Sequence, residues 1–162
     1  MKYCKQLTQS HIVIKNFPSV LKNINQLLIK EGCTFNNSFS SCDKNVIDGD
    51  ELEELTAIKE NRVKAKSMDL VFGIKNSSAS KFQLVELKLN CTTFFYLDKS
   101  SFLGKVLGTK NALGGNNFSK DYYIVFRDNV LQQAKRYLFR ANPRLNNQFK
   151  AVDVEGLYSK FF

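Results

Sequence analysis

The sequence of 162 residues is poor in several residue types, and each shortage excludes a class of function. A single histidine, His11, leaves no pair of imidazoles for common zinc sites or for a catalytic diad of two histidines. Only two prolines are present, which excludes collagen-like and proline-rich segments. The longest apolar run, Tyr122–Phe126, is far shorter than the roughly 20 residues of a membrane-spanning helix. We therefore expect no membrane partner.

Cysteine is also sparse, and its spacing matches no metal or redox motif. Cys4, Cys33, Cys42 and Cys91 lie far apart and form no CxxC pair, whereas small secreted domains are denser in cysteine. Residues 1–7 lack the apolar segment of a secretory signal peptide. The sequence therefore predicts a cytoplasmic protein with reduced thiols.

The charge balance is strongly basic. Lysine and arginine total 24 against 15 aspartates and glutamates, which gives a net charge of +9. A surplus of this size favours a polyanionic partner, most often a nucleic acid. Four basic residues near the C-terminus form either a phosphate-binding ridge or a solvated helix face: Lys135, Arg136, Arg140 and Arg144.

Hydrophobic periodicity predicts alternating helices and strands in one domain over residues 1–162. The predicted helices cover residues 18–31, a segment starting near Asp50, residues 97–113 and residues 128–140. The predicted strands cover residues 68–74, 82–89 and 122–126, with a further short strand near 33–35 and a strand or turn in the tail 151–162. This order predicts an α/β (α+β) fold with a mixed central β-sheet flanked by helices.

The predicted hairpin places three chemically useful side chains together. Asp69 lies near the start of the first strand, and Glu86 and Lys88 lie on the second. Side chains alternate between strand faces, so Phe82 and Leu84 share the face of Glu86 and Lys88. Two neighbouring carboxylates are typical of a hard divalent cation such as Mg²⁺, and the ammonium can assist a water or neutralise a phosphate. Mn²⁺ accepts the same oxygen ligands.

The segments DLVF at residues 69–72 and LVELK at residues 84–88 resemble the metal-binding core of the PD-(D/E)xK nuclease superfamily. The resemblance covers residues 68–89 and the order of the flanking elements. It implies a restriction-endonuclease-like fold and hydrolysis of phosphodiester bonds by metal-activated water, with Mg²⁺ or Mn²⁺ as cofactor.

By position, the resemblance implies that Asp69 and Glu86 bind the metal and that the Leu87 carbonyl also faces it. Lys88 would be the catalytic lysine. The bare acid-x-base tripeptide is weak, since about two copies are expected by chance in this composition. Two copies occur, at residues 60–62 and 86–88, and only the second lies in an apolar strand.

The chain departs from the family pattern at its flanks. Met68 stands where many members have proline before the aspartate. Many members add an acid from an N-terminal helix, and here Glu31 and Glu51 compete for that role, with Glu31 favoured. Many also have a lysine or glutamine on the helix after the second strand. Lys110 is the first candidate because it lies within the predicted apolar arc of this helix, and Lys105, which lies outside the arc, is the second. The predicted arc consists of Phe102, Leu103, Val106, Leu107 and Leu113.

Three functional hypotheses follow from the sequence. The leading one is a small metal-dependent nuclease that acts on DNA in preference to RNA, as a homodimer or with a larger protein partner. The alternative is a catalytically inactive, nuclease-fold accessory or immunity-type binding protein. A third reading is an unrelated α/β domain in which Glu86 and Lys88 form an exposed ion pair beside no cleft.

Overall fold

One mixed β-sheet carries helices on both of its faces in the computed structural model, as the sequence predicts. The structure describes residues 1–34, 36–94, 97–115, 117–141, 145 and 147–162. Within them, the strands are β1 (Lys2–Tyr3), β2 (Leu21–Asn23), β3 (Asn45–Asp48), β4 (Leu70–Lys75), β5 (Ser80–Lys88), β6 (Tyr122–Phe126) and β7 (Phe149–Val152). The helices are α1 (Lys5–Gln9), α2 (Ile12–Asn16), α3 (Ile24–Lys30), α4 (Gly49–Lys59), α5 (Lys99–Leu113), α6 (Asp128–Arg140) and α7 (Val154–Phe161).

The sheet has an antiparallel half and a parallel half that meet at β5. The strand order is β2-β3-β4-β5-β6-β7, and β1 pairs with β4 beside this path. Strands β2 to β5 pair antiparallel, whereas β5, β6 and β7 run parallel. The β4–β5 register pairs Leu70 with Val85, so Asp69 lies opposite Glu86 one step beyond the ladder.

Two apolar layers cover the sheet and fix which face each strand residue occupies. Helices α5 and α6 pack on one face with β-strand residues such as Leu84 and Ile124. Helices α3 and α7 pack on the opposite face with residues such as Val85 and Val125. Because side chains alternate, Glu86 points to the α5 side of the sheet. No helix in the described ranges is long and apolar enough to cross a bilayer.

Several predicted elements are confirmed almost residue for residue. The buried strand β6 and the helix α6 have the predicted bounds, and the hairpin β4–β5 lies within two residues of its prediction. Asp48 caps α4, because its Oδ1 accepts hydrogen bonds from the N–H groups of Asp50 and Glu51 at 3.1 and 3.0 Å. These elements are set by local sequence patterns, which explains their agreement.

The helix predicted over residues 18–31 is wrong in its first half. Pro18 starts a single 3₁₀ turn, and β2 then follows as an edge strand paired with β3. Asn23 ends β2 and caps α3, since its side chain accepts a hydrogen bond from Asn25 N–H at 2.9 Å. The apolar residues of this segment are therefore buried partly by the pairing of β2 with β3 and partly by the packing of the shorter helix α3.

The two ends of the chain hold elements that the periodicity did not predict. β1, α1 and α2 precede the first predicted helix. The tail predicted as a strand or turn over residues 151–162 contains the end of strand β7, followed by the helix α7 in place of a turn. Cys33 and Thr34 lie in no strand, and the remainder of the strand predicted near residues 33–35 lies outside the described residues. The short elements β1, α1, α2 and β7, of two to five residues each, contain too few positions to show a period.

Candidate active site

The candidate site is a pair of carboxylates at the β4–β5 junction. Glu86 is fully buried, and the side chain of Asp69 is 13% exposed. Asp69 Oδ2 accepts a hydrogen bond from the Leu87 N–H, which fixes the carboxylate where the strand ladder ends. The antiparallel register thus brings together two acids that are 17 residues apart in the sequence.

Two lysines supply the compensating charge. Lys105 on α5 donates a hydrogen bond to Glu86 Oε2 at 3.0 Å, and its Nζ lies 2.8 Å from Glu86 Oε1 and 3.8 Å from Asp69 Oδ1. Lys88 Nζ lies 2.5 Å from the same Glu86 Oε1. Neither lysine meets hydrogen-bond geometry at Oε1, so this buried oxygen has charge compensation without a hydrogen-bond donor.

Burial and mutual charge shift the pKa values of two groups at the site. Burial, followed by the charge of Glu86, raises the pKa of Asp69 to about 8. Burial opposes the charge of Lys105, but the Glu86 and Asp69 carboxylates outweigh burial, and the net effect raises the pKa of Lys105. Such perturbed groups cluster at catalytic and binding sites because ordinary packing does not require them.

Close backbone packing holds the segment that leads into Asp69. A Cβ at Gly49 would collide with the Met68 carbonyl oxygen, and a Cβ at Gly108 would collide with the Lys66 carbonyl oxygen. Gly49 N–H donates to the Asp69 carbonyl at 3.0 Å, and Met68 N–H donates to Thr109 Oγ1 at 2.7 Å. The N-terminus of α4 and the middle of α5 therefore pack against this segment on two sides and fix its position.

Asp50 is a third acid, which the sequence pattern indicates only as the start of a helix. It lies in the first turn of α4, and its carboxylate accepts a hydrogen bond from the Ser67 hydroxyl. Its negative charge contributes to raising the pKa of both Asp69 and Lys105, so it acts on the same electrostatic centre. The missing clue was the pairing of β3 with β4, which carries the start of α4 to Asp69.

The two candidate N-terminal acids occupy different places. Glu31 caps the C-terminus of α3 and lines the same cleft as Lys88 and Lys105. Glu51 pairs with Lys22 of β2 at 3.0 Å and is absent from the cleft lining among the described residues. Burial opposes the charge of Glu51, but hydrogen bonds from Ser19 and Lys22 outweigh burial and lower its pKa. The structure thus brings Glu31, rather than Glu51, to the cleft.

The preference for Lys110 over Lys105 is corrected by the geometry. Lys110 Nζ donates to Tyr122 Oη at 2.9 Å and does not contact the carboxylate pair. The predicted apolar arc of α5 included Leu103 and Leu107, which are 46% and 61% exposed. Counting these two leucines as buried shifts the predicted inner face around the helix axis, which leaves Lys105 outside that face.

The pair lies beside an open cleft of about 430 Å³ at the carboxyl end of β5. Lys88 and Lys105 line this cleft, together with Glu31, Asn90 and Ser101. In open α/β sheets, ligands bind beyond the carboxyl ends of the parallel strands. Both lysines are therefore accessible to a ligand in the cleft, while the Glu86 carboxylate stays buried behind them.

The residues present fit a Mg²⁺ or Mn²⁺ ion. Mg²⁺ binds proteins through one or two carboxylates and keeps several waters, and Asp69 and Glu86 supply two. Lys88 Nζ and Lys105 Nζ lie 2.5 and 2.8 Å from Glu86 Oε1, so two ammonium groups hold positive charge where a bound cation would supply it. Among the described residues, no group of three or more His, Cys, Asp or Glu side chains is placed to hold a metal. The Leu87 carbonyl remains a predicted ligand.

We compared the chain with protein-family models, with curated proteins and with solved structures, and no match was found.

Proposed function

We propose that this chain is a Mg²⁺- or Mn²⁺-dependent nuclease of restriction-endonuclease-like fold that hydrolyses phosphodiester bonds, in DNA rather than RNA. One observation carries the proposal: Asp69 and Glu86 form a largely buried acid pair, and Lys88 and Lys105 connect that pair to an open cleft. The resemblance of residues 68–89 to the PD-(D/E)xK core supplies the reaction class.

Each residue has a role that follows from its position. Asp69 and Glu86 would hold the ion, which when bound supplies activation of water and neutralisation of charge on the phosphate. Lys88, with a side chain 27% exposed, presents its ammonium to the cleft, where it can stabilise the negative charge that develops on a phosphate. Lys105 would position the Glu86 carboxylate through its direct hydrogen bond.

The burial of Glu86 argues against the reading in which residues 86–88 form an exposed ion pair. That reading requires an exposed carboxylate and no adjacent cleft, whereas Glu86 is 0% exposed beside a cleft of about 430 Å³. Removing a carboxylate from water is costly unless charged partners compensate. Placing two acids and two lysines together in this way costs folding free energy, which favours a functional role for the group.

A second candidate function is a nuclease-fold accessory or immunity-type protein without catalysis. The observation that favours it is the internal neutralisation of Glu86, since Lys88 Nζ at 2.5 Å and Lys105 Nζ at 2.8 Å compensate its charge without any metal. In that case the site would be a structural ion-pair network, and the protein would act by binding.

A cleavage assay separates the two candidates. Wild type is incubated with supercoiled plasmid and with single-stranded DNA in Mg²⁺, in Mn²⁺ and in EDTA, beside Asp69→Asn, Lys88→Met and Asp43→Asn. We expect metal-dependent cleavage that both site variants reduce by about 100-fold or more. Asp43 is exposed and serves as the matched control, which should retain activity. Absence of cleavage by the wild type under all metal conditions would refute the nuclease.

The proposal includes a cytoplasmic location and a protein partner. All four cysteines lie in the described part of the chain and are free thiols, which suits a reducing compartment. We expect the nuclease to act as a homodimer or with a larger protein that supplies target recognition.

A further inference from the structure

Positive charge is segregated along this sequence. Residues 99–162 contain 11 lysines and arginines but only four aspartates and glutamates. Within them, residues 129–152 contain five basic residues and no acidic residue. A surface that only needs solubility intersperses both signs. A long stretch that contains only positive charge therefore indicates a role for this charge other than solubility.

Positive and negative charges nearly balance in the first part of the chain, since residues 1–98 contain 13 lysines and arginines and 11 aspartates and glutamates. Arg62 pairs with Glu53 and Glu60, at 2.5 and 2.6 Å, and Lys64 pairs with Glu54 at 3.0 Å. Charges paired in this way contribute little to the field outside the protein. The net field of the molecule consequently comes mainly from its C-terminal part.

Helix α6 presents the opposite situation. Lys135, Arg136 and Arg140 are exposed, and in the described ranges none of them has an ion-pair or hydrogen-bond partner. We call these three residues the α6 basic face; Arg136 and Arg140 line one depression and Lys135 lines another. Arg136 and Arg140 are four residues apart on one side of the helix, where like charges repel and destabilise it slightly. A bound polyanion would offset the repulsion between the two arginines and attract both of them.

The α6 basic face is connected to the rim of the candidate active site. Tyr137 Oη donates a hydrogen bond to the Leu97 carbonyl at 2.6 Å, and Leu97 lines the active-site cleft. The Phe94 ring packs against Tyr137 and Phe126, with ring centroids 5.6 Å apart in each case. Tyr137 also lines, with Gln133, Arg136 and Arg140, a shallow depression of about 320 Å³ on the outer side of α6.

We propose that the α6 basic face is the docking surface for the phosphate backbone of the nucleic acid whose scissile bond enters the cleft. The proposal rests on the proposed function for the class of substrate. It goes beyond that function by separating a docking surface on α6 from the reacting groups on β4, β5 and α5. Charge complementarity identifies the occupant, because the sugar–phosphate backbone is a dense linear polyanion. Arg144, the fourth basic residue of the predicted ridge, lies outside the described residues.

Salt-dependent binding tests the proposal separately from cleavage. A fluorescein-labelled 20-base-pair DNA duplex is titrated with protein in EDTA over a range of KCl concentrations, and binding is followed by fluorescence anisotropy. The test variant is K135Q/R136Q/R140Q. The matched control is K5Q/K15Q/K75Q, which removes the same charge from three exposed lysines in the first part of the chain. Thermal unfolding followed by circular dichroism confirms that both variants remain folded.

We expect the α6 variant to bind at least tenfold more weakly at fixed salt. A plot of the logarithm of the association constant against the logarithm of the salt concentration has a negative slope. The magnitude of this slope should be smaller by about 2.7 in the α6 variant, because three phosphate contacts each contribute about 0.9. The control should keep the wild-type slope. Equal losses in both variants, wild-type binding by the α6 variant, or no duplex binding by wild type would overturn the proposal. Wild-type binding to anionic phosphatidylserine vesicles but not to DNA would also overturn it, in favour of a membrane surface.

The failures of the two proposals are distinguishable. A protein that binds DNA through α6 but never cleaves it would refute the nuclease and support the docking surface on an accessory protein. A protein that cleaves DNA while the α6 variant keeps wild-type affinity and salt slope would refute the docking surface alone.

Discussion

Asp69→Asn removes a carboxyl group that the folded protein resists ionising. The pKa of Asp69 is raised from 3.8 to about 8, first by burial and then by the neighbouring Glu86 charge. Asparagine keeps the shape of the side chain and an oxygen that can accept the Leu87 N–H. The variant therefore changes the charge of the site with little change in packing.

The sign of the effect follows from proton linkage. Between pH 4 and pH 8 the folded state holds the Asp69 proton while the unfolded state has released it, so stability falls as pH rises through this window. One proton corresponds to at most about 1.4 kcal/mol per pH unit. From pH 5 to pH 7 this gives a loss of about 3 kcal/mol in wild type that the Asp69→Asn variant lacks.

Urea unfolding in EDTA at pH 5, 6, 7 and 8 measures this difference directly. The free energies of unfolding of wild type and Asp69→Asn should be similar at pH 5 and should diverge by about 3 kcal/mol by pH 7, with the variant more stable. Asp43→Asn, at an exposed site, should follow wild type at every pH. Parallel pH profiles for wild type and Asp69→Asn would refute the assignment of a strongly raised pKa to the buried pair.

Three further predictions concern the same region. Lys105→Met should destabilise the protein in EDTA by about 3 kcal/mol in urea unfolding, because Glu86 loses its hydrogen-bonded partner, and Mg²⁺ should restore part of the loss. Gly108→Ala should destabilise by about 2 kcal/mol, since its Cβ would meet backbone, whereas Gly104→Ala in the same helix has open space and should be neutral or stabilising by about 0.5 kcal/mol. Mg²⁺ binding at pH 7 should release close to one proton from Asp69, because its raised pKa leaves the group mostly protonated at this pH. Calorimetry in two buffers of different ionisation enthalpy measures the number of protons released. A release near zero would contradict a protonated Asp69.

The part of the site that could be predicted from the sequence is the part encoded locally. The hairpin of β4 and β5 depends on two apolar runs and one turn, all within residues 68–89. Alternation along β5 then places Glu86 and Lys88 on one face, and the antiparallel register places Asp69 opposite. Those relations follow from strand geometry alone.

The remainder of the site depends on contacts between distant segments. Lys105 reaches Glu86 because the buried side of α5 runs through Phe102, Val106 and Thr109, whereas the prediction counted the exposed Leu103 and Leu107 as buried. Leucine on an exposed helix face carries no local mark that distinguishes it from a core leucine.

Asp50 was missed for a different reason. Its position near Asp69 requires β3, and this four-residue strand shows no periodicity from which it could be predicted. The pairing of β3 with β4 delivers the first turn of α4 to the site. A polar loop followed by a short strand offers too few apolar positions for a period-2 pattern to be recognised.

Binding of Mn²⁺, followed by electron paramagnetic resonance, tests the proposed metal centre most directly. Wild type, Asp69→Asn, Glu86→Gln and Asp43→Asn are titrated at pH 8, close to the raised pKa of Asp69. The account predicts one bound ion per wild-type chain, affinity reduced about tenfold or more by either Asp69→Asn or Glu86→Gln, and unchanged affinity in Asp43→Asn. Wild-type binding that survives both site substitutions, or no binding at millimolar Mn²⁺, would contradict the claim that Asp69 and Glu86 form a metal centre.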